Sequence, residues 1–408
     1  MKPLGPIPPG WQSLDGELAI AGRRASEWVR EAGDTPLFLY SRELLDARMA
    51  ELRDAMPERL AIHYAVKANP HPDVVRHLAR HVDGFDIASG GELAMLRDAG
   101  IDPALVSFAG PGKRDRELAA AIEAGVTLNL ESANEAERAL SIAAGQGRRP
   151  RLAIRVNPDF DLKGSGMKMG GGAKPFGVDA AGVPGLIRRI VASGAEWRGL
   201  HIYTGSQALD ADAVIEMQAG VLNLADRLVR EAEVPLPKLN MGGGFGIPYF
   251  ATDSRLDVRA VGAALGRAFA QLPGALADTD LCIELGRYIA GEAGVYLTRI
   301  VDRKESHGQT FLVTDGGLHH QLAASGNFGT VIRRNYPVAI ATRFDAEPEE
   351  VVDVVGCLCT PLDRLADRAH LPRAEVGDLV AVFCAGAYGA SASPSAFLGQ
   401  GPALEMLV

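Results

Sequence analysis

The chain has 408 residues, 47% hydrophobic and 23% charged, a composition typical of a globular enzyme of two domains. With 42 basic and 51 acidic residues the net charge is −9, which argues against nucleic-acid binding, since that affinity needs clustered Lys and Arg. Residues 1–10 contain no apolar signal segment, no uncharged run approaches the ~18 residues of a membrane span, and four cysteines make no disulfide framework. We therefore expect a cytoplasmic protein.

The start of the chain predicts one strand and two helices. Residues 1–36 contain a possible strand at Leu18–Ile20, and we expect this segment to pack on the C-terminal domain. A helix is predicted between Ser41 and Pro57, because apolar residues recur there every third or fourth position. Another is predicted after Ser89, where Ser-Gly-Gly-Glu has the spacing of a capping box.

Eight strand candidates follow, each ahead of a helix-like or loop segment at the spacing of β/α units. This order predicts an α/β fold, a (β/α)8 TIM barrel over residues 37–288, with a doubly wound open sheet as the alternative. The candidates are Ala61–Lys67, Gly84–Ala88, Val106–Ala109, Val126–Leu130, Leu152–Val156, Gly199–Thr204, Lys238–Met241 and Leu281–Glu284.

The pattern changes after about residue 290. Strand candidates are there separated by irregular loops that contain Gly and Pro, which predicts an all-β C-terminal domain over residues 289–408. The candidates are Val295–Val301, Thr310–Thr314, Val351–Val355 and Leu379–Cys384.

The first barrel candidate ends in a lysine. Alternation along the strand puts His63 and Lys67 on one face, with Lys67 near the carboxyl end, where TIM-barrel active sites lie. A buried lysine is costly unless it is paired, but desolvation makes an amine a Schiff-base nucleophile. A buried ion-pair lysine is the alternative interpretation.

Glycines follow the last two barrel candidates. Met241–Gly246 carries four glycines, which let backbone N–H groups approach an anion closely, although a tight turn is an equally good interpretation of the run alone. TIM barrels often bind phosphate with the loops after strands seven and eight. The eighth candidate ends in Glu284, Gly286 and Arg287, a carboxylate, a glycine and a cation.

Taken in order, these motifs resemble the fold-type III pyridoxal 5′-phosphate (PLP) decarboxylases, the diaminopimelate and ornithine decarboxylase group, whose barrel is related to that of alanine racemase. The resemblance extends from Phe38 to Gly389. It implies a TIM barrel with a C-terminal β-barrel domain, and a homodimer whose active sites are shared across the interface. Its landmarks are Tyr64–Asn69, Phe85–Ser89, Gly199–His201, Gly205–Gln207, Gly242–Gly246, Glu284–Arg287, Cys359 and Gly386–Gly389.

The resemblance implies a catalytic role for three residues. Lys67 would hold PLP as a Schiff base. Glu284 would face the pyridine nitrogen and keep it protonated, so that the ring accepts the electrons released with CO2 in a quinonoid intermediate. Cys359 would enter from the neighbouring subunit and return a proton to that carbon. The racemase branch is known for an arginine in place of Glu284, so Glu284 favours decarboxylation.

The resemblance also implies the residues that bind cofactor and substrate. The further cofactor-binding residues are Tyr203, His201, Ser206, Gly243, Gly244, Gly246, Gly286, Arg287 and Tyr388. The substrate-binding residues are Arg287, Arg333, Thr360 and Asp363. No metal is expected, because the spacing of Cys357 and Cys359 from His319 and His320 is wrong for a structural zinc site.

The chain departs from the family pattern in three places. Tyr203 stands where the family usually has the histidine that stacks on the pyridine ring, so Tyr203 or His201 would stack there. Thr360 follows Cys359 where diaminopimelate decarboxylases have a glutamate that reads the distal end of their substrate. The run Lys163–Gly172 is absent from the simplest members. In these features the chain is similar to the butirosin-pathway subgroup, which decarboxylates glutamate attached to an acyl carrier protein.

We therefore predict a homodimeric PLP-dependent α-decarboxylase of an amino acid, with an acidic or carrier-protein-linked substrate from specialised biosynthesis. A diaminopimelate decarboxylase of lysine biosynthesis is the first alternative. A PLP-dependent amino-acid racemase and a non-catalytic PLP-binding homologue are the others. Neither a membrane nor a nucleic acid is an expected partner.

Overall fold

A computed structural model describes residues 1–160, 172–326 and 333–408, together with the backbone of Met167–Lys168. Most of the run Lys163–Gly172 thus lies outside the described residues. The chain forms two compact units. Met49–Gly246 and Leu256–Gly286 form the barrel unit, and Met1–Arg48, Ile247–Arg255 and Arg287–Val408 form the sheet unit.

This grouping differs from the domain bounds predicted at 36/37 and 288/289. Residues 37–48 and 247–255, predicted to be barrel, belong to the sheet unit. The reason for the first segment is its strand Leu37–Tyr40, which is buried and pairs with Gly294–Leu297 on one side and Leu404–Leu407 on the other.

The barrel unit contains eight parallel strands that close on themselves, because the fourth strand pairs with the fifth and the eighth pairs with the first. This confirms the predicted TIM barrel and excludes the open sheet. Each strand overlaps its predicted candidate. The strands, first to eighth, are Leu60–Ala65, Gly84–Ile87, Val106–Phe108, Thr127–Leu130, Arg151–Asn157, Glu196–Ile202, Lys238–Gly243 and Asp280–Leu285.

Helices connect the barrel strands, and the two that the sequence predicts begin directly after Ser41 and Ser89. Ser89 accepts a hydrogen bond from the backbone N–H of Glu92, and Ser132 caps the helix Ala133–Gln146 in the same way. The helices of the barrel unit, including the one that enters it from the sheet unit, are Arg42–Ala55, Pro72–Leu78, Gly90–Asp98, Asp115–Ala124, Ala133–Gln146, Val183–Ala192, Ala211–Ala232 and Val258–Phe269. None of the helices that the structure describes is both long and apolar enough to span a bilayer.

The interior of the barrel is polar, unlike the branched apolar interiors common in this fold. Every strand has one polar residue between two apolar ones, as in Ile62-His63-Tyr64, and alternation sends the middle one inward. These polar residues contact one another across strands, and all but Ser107 are buried. This polar ring comprises His63, Asp86, Ser107, Asn129, Arg155, His201, Asn240 and Glu284.

The sheet unit is mostly β-structure, and the four predicted C-terminal strands are all present. Its main sheet has the order Val338–Ile340, Leu379–Val382, Gly294–Ser306, Gln309–Thr314, Glu350–Val355 and Arg364–Leu371. An N-terminal hairpin, Gln12–Leu14 and Glu17–Ile20, precedes the helix Ala25–Ala32. Trp11, Leu18 and Trp28 share one apolar core with Leu297 and Phe383, so the N-terminal segment packs on C-terminal strands.

Candidate functional site

Lys67 lies just beyond the first barrel strand. The strand ends at Ala65, and Val66–Ala68 form a single 3-10 turn, so the predicted alternation extended two residues too far. Lys67 is consequently exposed rather than buried, with its Nζ 5.5 Å from the centroid of the Tyr203 ring. The sequence therefore identified the correct end of the barrel but not the local backbone.

Glu284 is a buried carboxylate with two polar neighbours from other strands. Its Oε2 accepts a hydrogen bond of 3.0 Å from Nδ2 of Asn240. Nε2 of His201 lies 3.1 Å from the same oxygen, close enough for an ion pair but not aligned as a hydrogen bond.

The charges around Glu284 keep it ionised. Burial alone would raise its pKa, but the opposing effect of His201, followed by Lys67 and Arg155, is larger and lowers the pKa to about 2. An anion is therefore fixed inside the barrel at neutral pH, and a cation or a protonated ring nitrogen suits such a position.

The glycines after the seventh strand pack too closely for any other residue. A Cβ on Gly243 would lie 1.9 Å from the carbonyl oxygen of Glu284, and one on Gly244 would lie 2.1 Å from that of Gly205. Gly244 also has a φ of +77°, a left-handed conformation that favours glycine. Gly246 and Gly286 are confined less tightly, because a Cβ there would lie 2.9 Å from Cδ2 of Leu209 and 2.8 Å from Cβ of Ala68.

Tyr203 and Ser206 lie next to this glycine loop. The hydroxyl of Tyr203 is 2.7 Å from that of Ser206, so the two share a hydrogen bond. The backbone of Met167–Lys168 pairs antiparallel with Gly205–Ser206, which brings part of the unusual 163–172 run to this position. Tyr203 itself is buried, and its ring faces the Lys67 amine.

Arg287 and Tyr388 come together within the sheet unit. Arg287, which follows Gly286 in the chain, lies with its guanidinium carbon 4.6 Å from the centroid of the Tyr388 ring. Its Nη1 donates a 2.8 Å hydrogen bond to the hydroxyl of Tyr249. Burial raises the pKa of Tyr249 to about 12, so this phenol stays neutral beside the cation. Tyr388 has a φ of +57°, a strained conformation that is common at functional positions.

Cys359 and Thr360 lie in a loop of the sheet unit, Cys359 exposed and Thr360 half-buried. Arg333, predicted to bind substrate, donates from Nη1 to the carbonyl oxygen of Arg364 and from Nη2 to that of Leu362. The guanidinium is thus tied to the backbone that follows this loop.

Asp363, predicted to bind substrate, lies buried against two backbone segments of the sheet unit. It is 3% exposed, and its two oxygens accept hydrogen bonds from the backbone N–H groups of Leu318 (2.7 Å) and Leu358 (2.8 Å). Glycine is required opposite it, since a Cβ on Gly317 or Gly356 would clash with the carboxylate. Both oxygens are therefore used in joining two loops, and the geometry favours positioning of the Cys359 loop over contact with substrate.

The sequence interpretation missed a buried charge network between the fourth and fifth strands. Oε1 of Glu131 accepts hydrogen bonds from Nη1 of Arg155 (2.9 Å) and from the N–H of Gly110, while Oε2 accepts from the N–H of Gly177. Nearby, Nζ of Lys113 donates to Glu135 at 2.7 Å. The sequence contained a signal for Arg155, because it is one of the polar residues that stand between apolar neighbours in each strand and so face inward.

Comparison with known proteins identifies the family. Residues 42–291 match the model described as pyridoxal-dependent decarboxylase, pyridoxal binding domain, which is more than half of the chain. The chain belongs to the pyridoxal-dependent decarboxylases. It is therefore a lyase with PLP as its cofactor, which favours catalysis of decarboxylation over the racemase and the non-catalytic alternatives.

Two relatives of this decarboxylase share 34% identity with it. One is the L-glutamyl-[BtrI acyl-carrier protein] decarboxylase of Niallia circulans, aligned over 380 residues, 92% of this chain and 89% of the relative. The other is the diaminopimelate decarboxylase of Archaeoglobus fulgidus, aligned over 401 residues, 98% of this chain and 93% of the relative.

Solved structures agree with the fold of this decarboxylase. AQ1208 from Aquifex aeolicus has a TM-score of 0.83 at 30% identity, covering 98% of this chain and 92% of that one. Diaminopimelate decarboxylase from Helicobacter pylori complexed with L-lysine has a TM-score of 0.83 at 28% identity, covering 94% of each chain.

The residues at the carboxyl end of the barrel fit PLP. The cofactor needs an amine, a partner for its ring nitrogen and a cradle for its phosphate. Lys67, the ionised Glu284 and the glycine-rich loop are of these three kinds, and Tyr203 adds an aromatic ring beside Lys67.

Proposed function

We propose that this decarboxylase removes the α-carboxylate of an amino acid whose distal end is acidic, uncharged or linked to a carrier protein. The observation that carries the proposal is Thr360, a half-buried hydroxyl directly after Cys359. The family resemblance puts a glutamate there in diaminopimelate decarboxylases. A hydroxyl cannot neutralise a distal ammonium group, and an unpaired charge in a closed site costs on the order of a few kcal/mol.

Overall similarity does not choose between substrates, because the carrier-protein decarboxylase and a diaminopimelate decarboxylase are equally identical to this chain. The choice therefore depends on the residues around the distal end of the substrate. Arg333 supplies a positive charge, which an acidic distal group requires. Its guanidinium is hydrogen-bonded to the backbone next to the Cys359 loop.

The proposed roles follow from the geometry of the residues. When bound, PLP supplies a conjugated ring that accepts the electron pair left by CO2. Lys67 supplies the amine that holds the cofactor, and Glu284 holds a proton at the ring nitrogen, a position that its lowered pKa supports.

Other residues hold the cofactor in place. Tyr203 presents an aromatic face to the ring, and His201 lies beside Glu284 as its ion-pair partner. The phosphate is held by a set of small residues from the barrel, and the family resemblance assigns Arg287 and Tyr388 to the cofactor as well. That set is Ser206, Gly243, Gly244, Gly246 and Gly286.

Cys359 completes the proposed site from the neighbouring subunit of a homodimer and donates a proton to the carbon that loses CO2. Cys359→Ala and Lys67→Ala proteins should each be nearly inactive alone. After subunit exchange the mixture should regain up to about a quarter of wild-type activity, because a statistical heterodimer has one intact site of two. If exchange is shown independently and no activity returns, Cys359 does not act across the dimer.

The substrate proposal is tested by CO2 release from purified enzyme across glutamate, carrier-protein-linked glutamate, lysine, ornithine and meso-diaminopimelate. We expect the highest kcat/KM for an acidic or carrier-linked substrate. Thr360→Glu should raise the relative kcat/KM for meso-diaminopimelate, whereas Thr252→Glu, at an exposed position of the same unit, should not. A wild-type preference for meso-diaminopimelate would overturn the proposal and assign the enzyme to lysine formation.

A further inference from the structure

We infer that Asn240 is a positioning residue for decarboxylation, which fixes the Glu284 carboxylate relative to the glycine loop. Asn240 lies in the seventh barrel strand, is 6% exposed and contacts both elements with one amide group. Its Nδ2 donates to Oε2 of Glu284 at 3.0 Å, and its Oδ1 accepts from the backbone N–H of Gly242 at 2.9 Å. The inference rests on the proposed roles of Glu284 and of the loop.

The backbone explains why residue 240 reaches both groups. The seventh and eighth strands pair as Asn240 with Cys282 and then as Gly243 with Glu284, so the register shifts by one residue between these pairs. Gly242 occupies the shift with a φ of +69°, which turns its N–H back towards the Asn240 side chain. A Cβ on Gly242 would lie 2.7 Å from the carbonyl oxygen of Ile202, so this turn requires glycine.

A neutral amide satisfies both contacts at every pH, and it does so in one orientation alone. A carboxylate accepts hydrogen bonds and donates none, so the group that faces Glu284 must be a donor. The group that faces the Gly242 N–H must be an acceptor. Flipping the Asn240 amide would set its oxygen against Glu284 and its NH2 against the N–H. The two hydrogen bonds therefore lock the side chain, and through it the distance between the carboxylate and the start of the loop.

Asn240 is also the neutral member of a charged neighbourhood. Besides Asn240, the groups that act on Glu284 are the cationic or ionisable His201, Lys67 and Arg155. An amide donor adds a hydrogen bond to the carboxylate without adding another charge. A carboxyl group at position 240 would instead face Glu284 as a like charge, and such a pair shares one proton with a raised pKa.

This contrast gives a sharp test with Asn240→Asp, which keeps the acceptor for Gly242 and changes only the group that faces Glu284. The matched control is Asn129→Asp, at a buried Asn of the fourth strand whose Nδ2 donates to Ser107 instead. The measurements are the Kd of PLP for apoenzyme, followed by visible absorbance from pH 6 to 8, and the Tm of each apoprotein.

We expect N240D to raise the Kd of PLP by about tenfold at pH 8, because the variant loses the hydrogen bond from residue 240 to the charged Glu284 carboxylate. Near pH 6 the increase should be smaller, since the shared proton there replaces the lost donor. N129D should show no such pH-dependent change, whatever its Tm. If N240D does not fold, Asn240→Ala should raise the Kd about tenfold more than Asn129→Ala does.

The variant Glu284→Gln distinguishes failure of the proposed role of Glu284 from failure of the inference on Asn240. If E284Q leaves the Kd and the visible spectrum of bound PLP unchanged, the proposed role of Glu284 is wrong. If E284Q alters them while N240D matches N129D at every pH, or N240A matches N129A, only the inference on Asn240 is overturned.

Discussion

The two ends of the barrel differ in how deeply their charged side chains are buried. At the carboxyl ends of the strands, charged groups are paired with one another inside the protein, as in Arg155 with Glu131 and Lys113 with Glu135. At the amino ends, arginines on the outside bind backbone carbonyl oxygens. Examples are Arg53 with His81, Arg149 with Gly194 and Arg188 with Glu231, each at 2.7 or 2.8 Å.

The carbonyls bound at the amino end lie at the carboxyl ends of helices or just after them. Gly194 follows the helix Val183–Ala192, and Glu231 is in the last turn of Ala211–Ala232. Such carbonyls lack partners within the helix and carry partial negative charge, so an arginine there stabilises the helix end. The arginines at the amino end thus stabilise helix ends. The buried charge pairs lie at the carboxyl end, which also contains Lys67 and Glu284.

The largest loss of activity is expected from substitution of Lys67, at the carboxyl end of the barrel. Lys67→Ala should lower CO2 release to the background of the assay, and borohydride should fix PLP on the wild-type peptide that contains Lys67. Lys113→Gln removes a buried lysine of the same barrel end that pairs with Glu135. It should lose stability but keep the label on Lys67; a label on Lys113 in the wild type would reject the Lys67 assignment.

The next effect concerns stability at the carboxyl end. Glu131→Ala leaves Arg155 and two backbone N–H groups without their acceptor, and should lower the free energy of unfolding by about 3–5 kcal/mol. Glu137, whose partner Arg189 is exposed, supplies the matched control. Glu137→Ala should cost less than about 1 kcal/mol in the same urea titration. Equal losses would remove the distinction between buried and exposed pairs.

The stabilising effect of Glu131 should also depend on pH. Burial raises its pKa, but Arg155 and the backbone donors outweigh burial and hold the pKa below the ordinary 4.5. A folded-state pKa below the unfolded one stabilises the protein above pH 4.5, and this stabilisation is lost as the pH falls further. The difference in urea midpoint between wild type and Glu131→Gln should therefore be constant from pH 7 to 5.5 and shrink below about 4.5. A difference that grows on acidification would contradict the lowered pKa.

The smallest effect is expected at the amino end. Arg149→Ala removes one hydrogen bond from an exposed guanidinium to the Gly194 carbonyl and should cost about 0.5–1 kcal/mol. Both kcat and KM should match the wild type, because Arg149 belongs to the end of the barrel away from the glycine loop. A changed kcat with unchanged stability would show that the two ends are not separate in function.

The barrel was predictable from the sequence because each strand is a short local pattern. His63 and Asn240, for example, each interrupt an apolar run once, and such a pattern predicts both a strand and an inward polar face. The position of Lys67 was less predictable, since the pattern does not show where pairing with neighbouring strands stops. The 3-10 turn at Val66–Ala68 depends on those neighbours.

Long-range hydrogen bonds set the remaining limit. Nothing in the sequence indicated that the oxygens of Asp363 accept hydrogen bonds from the backbone of Leu318 and Leu358, and the first of these residues is 45 positions away. The strand Arg364–Leu371 was also missed. Its apolar residues do not alternate, because Leu365 and Ala366 are adjacent and both buried, and its register against Glu350–Val355 shifts at this point.

The polar ring inside the barrel has a consequence for how the sequence can diverge. A single apolar replacement in the ring, for instance at Asp86, would leave Nδ1 of the buried His63 without that partner, and an unpaired buried group costs about 1–3 kcal/mol. Replacement of both members at once by groups of similar shape avoids that cost. Ring positions on adjacent strands should therefore covary among relatives as donor–acceptor pairs, whereas the apolar residues on either side should drift independently.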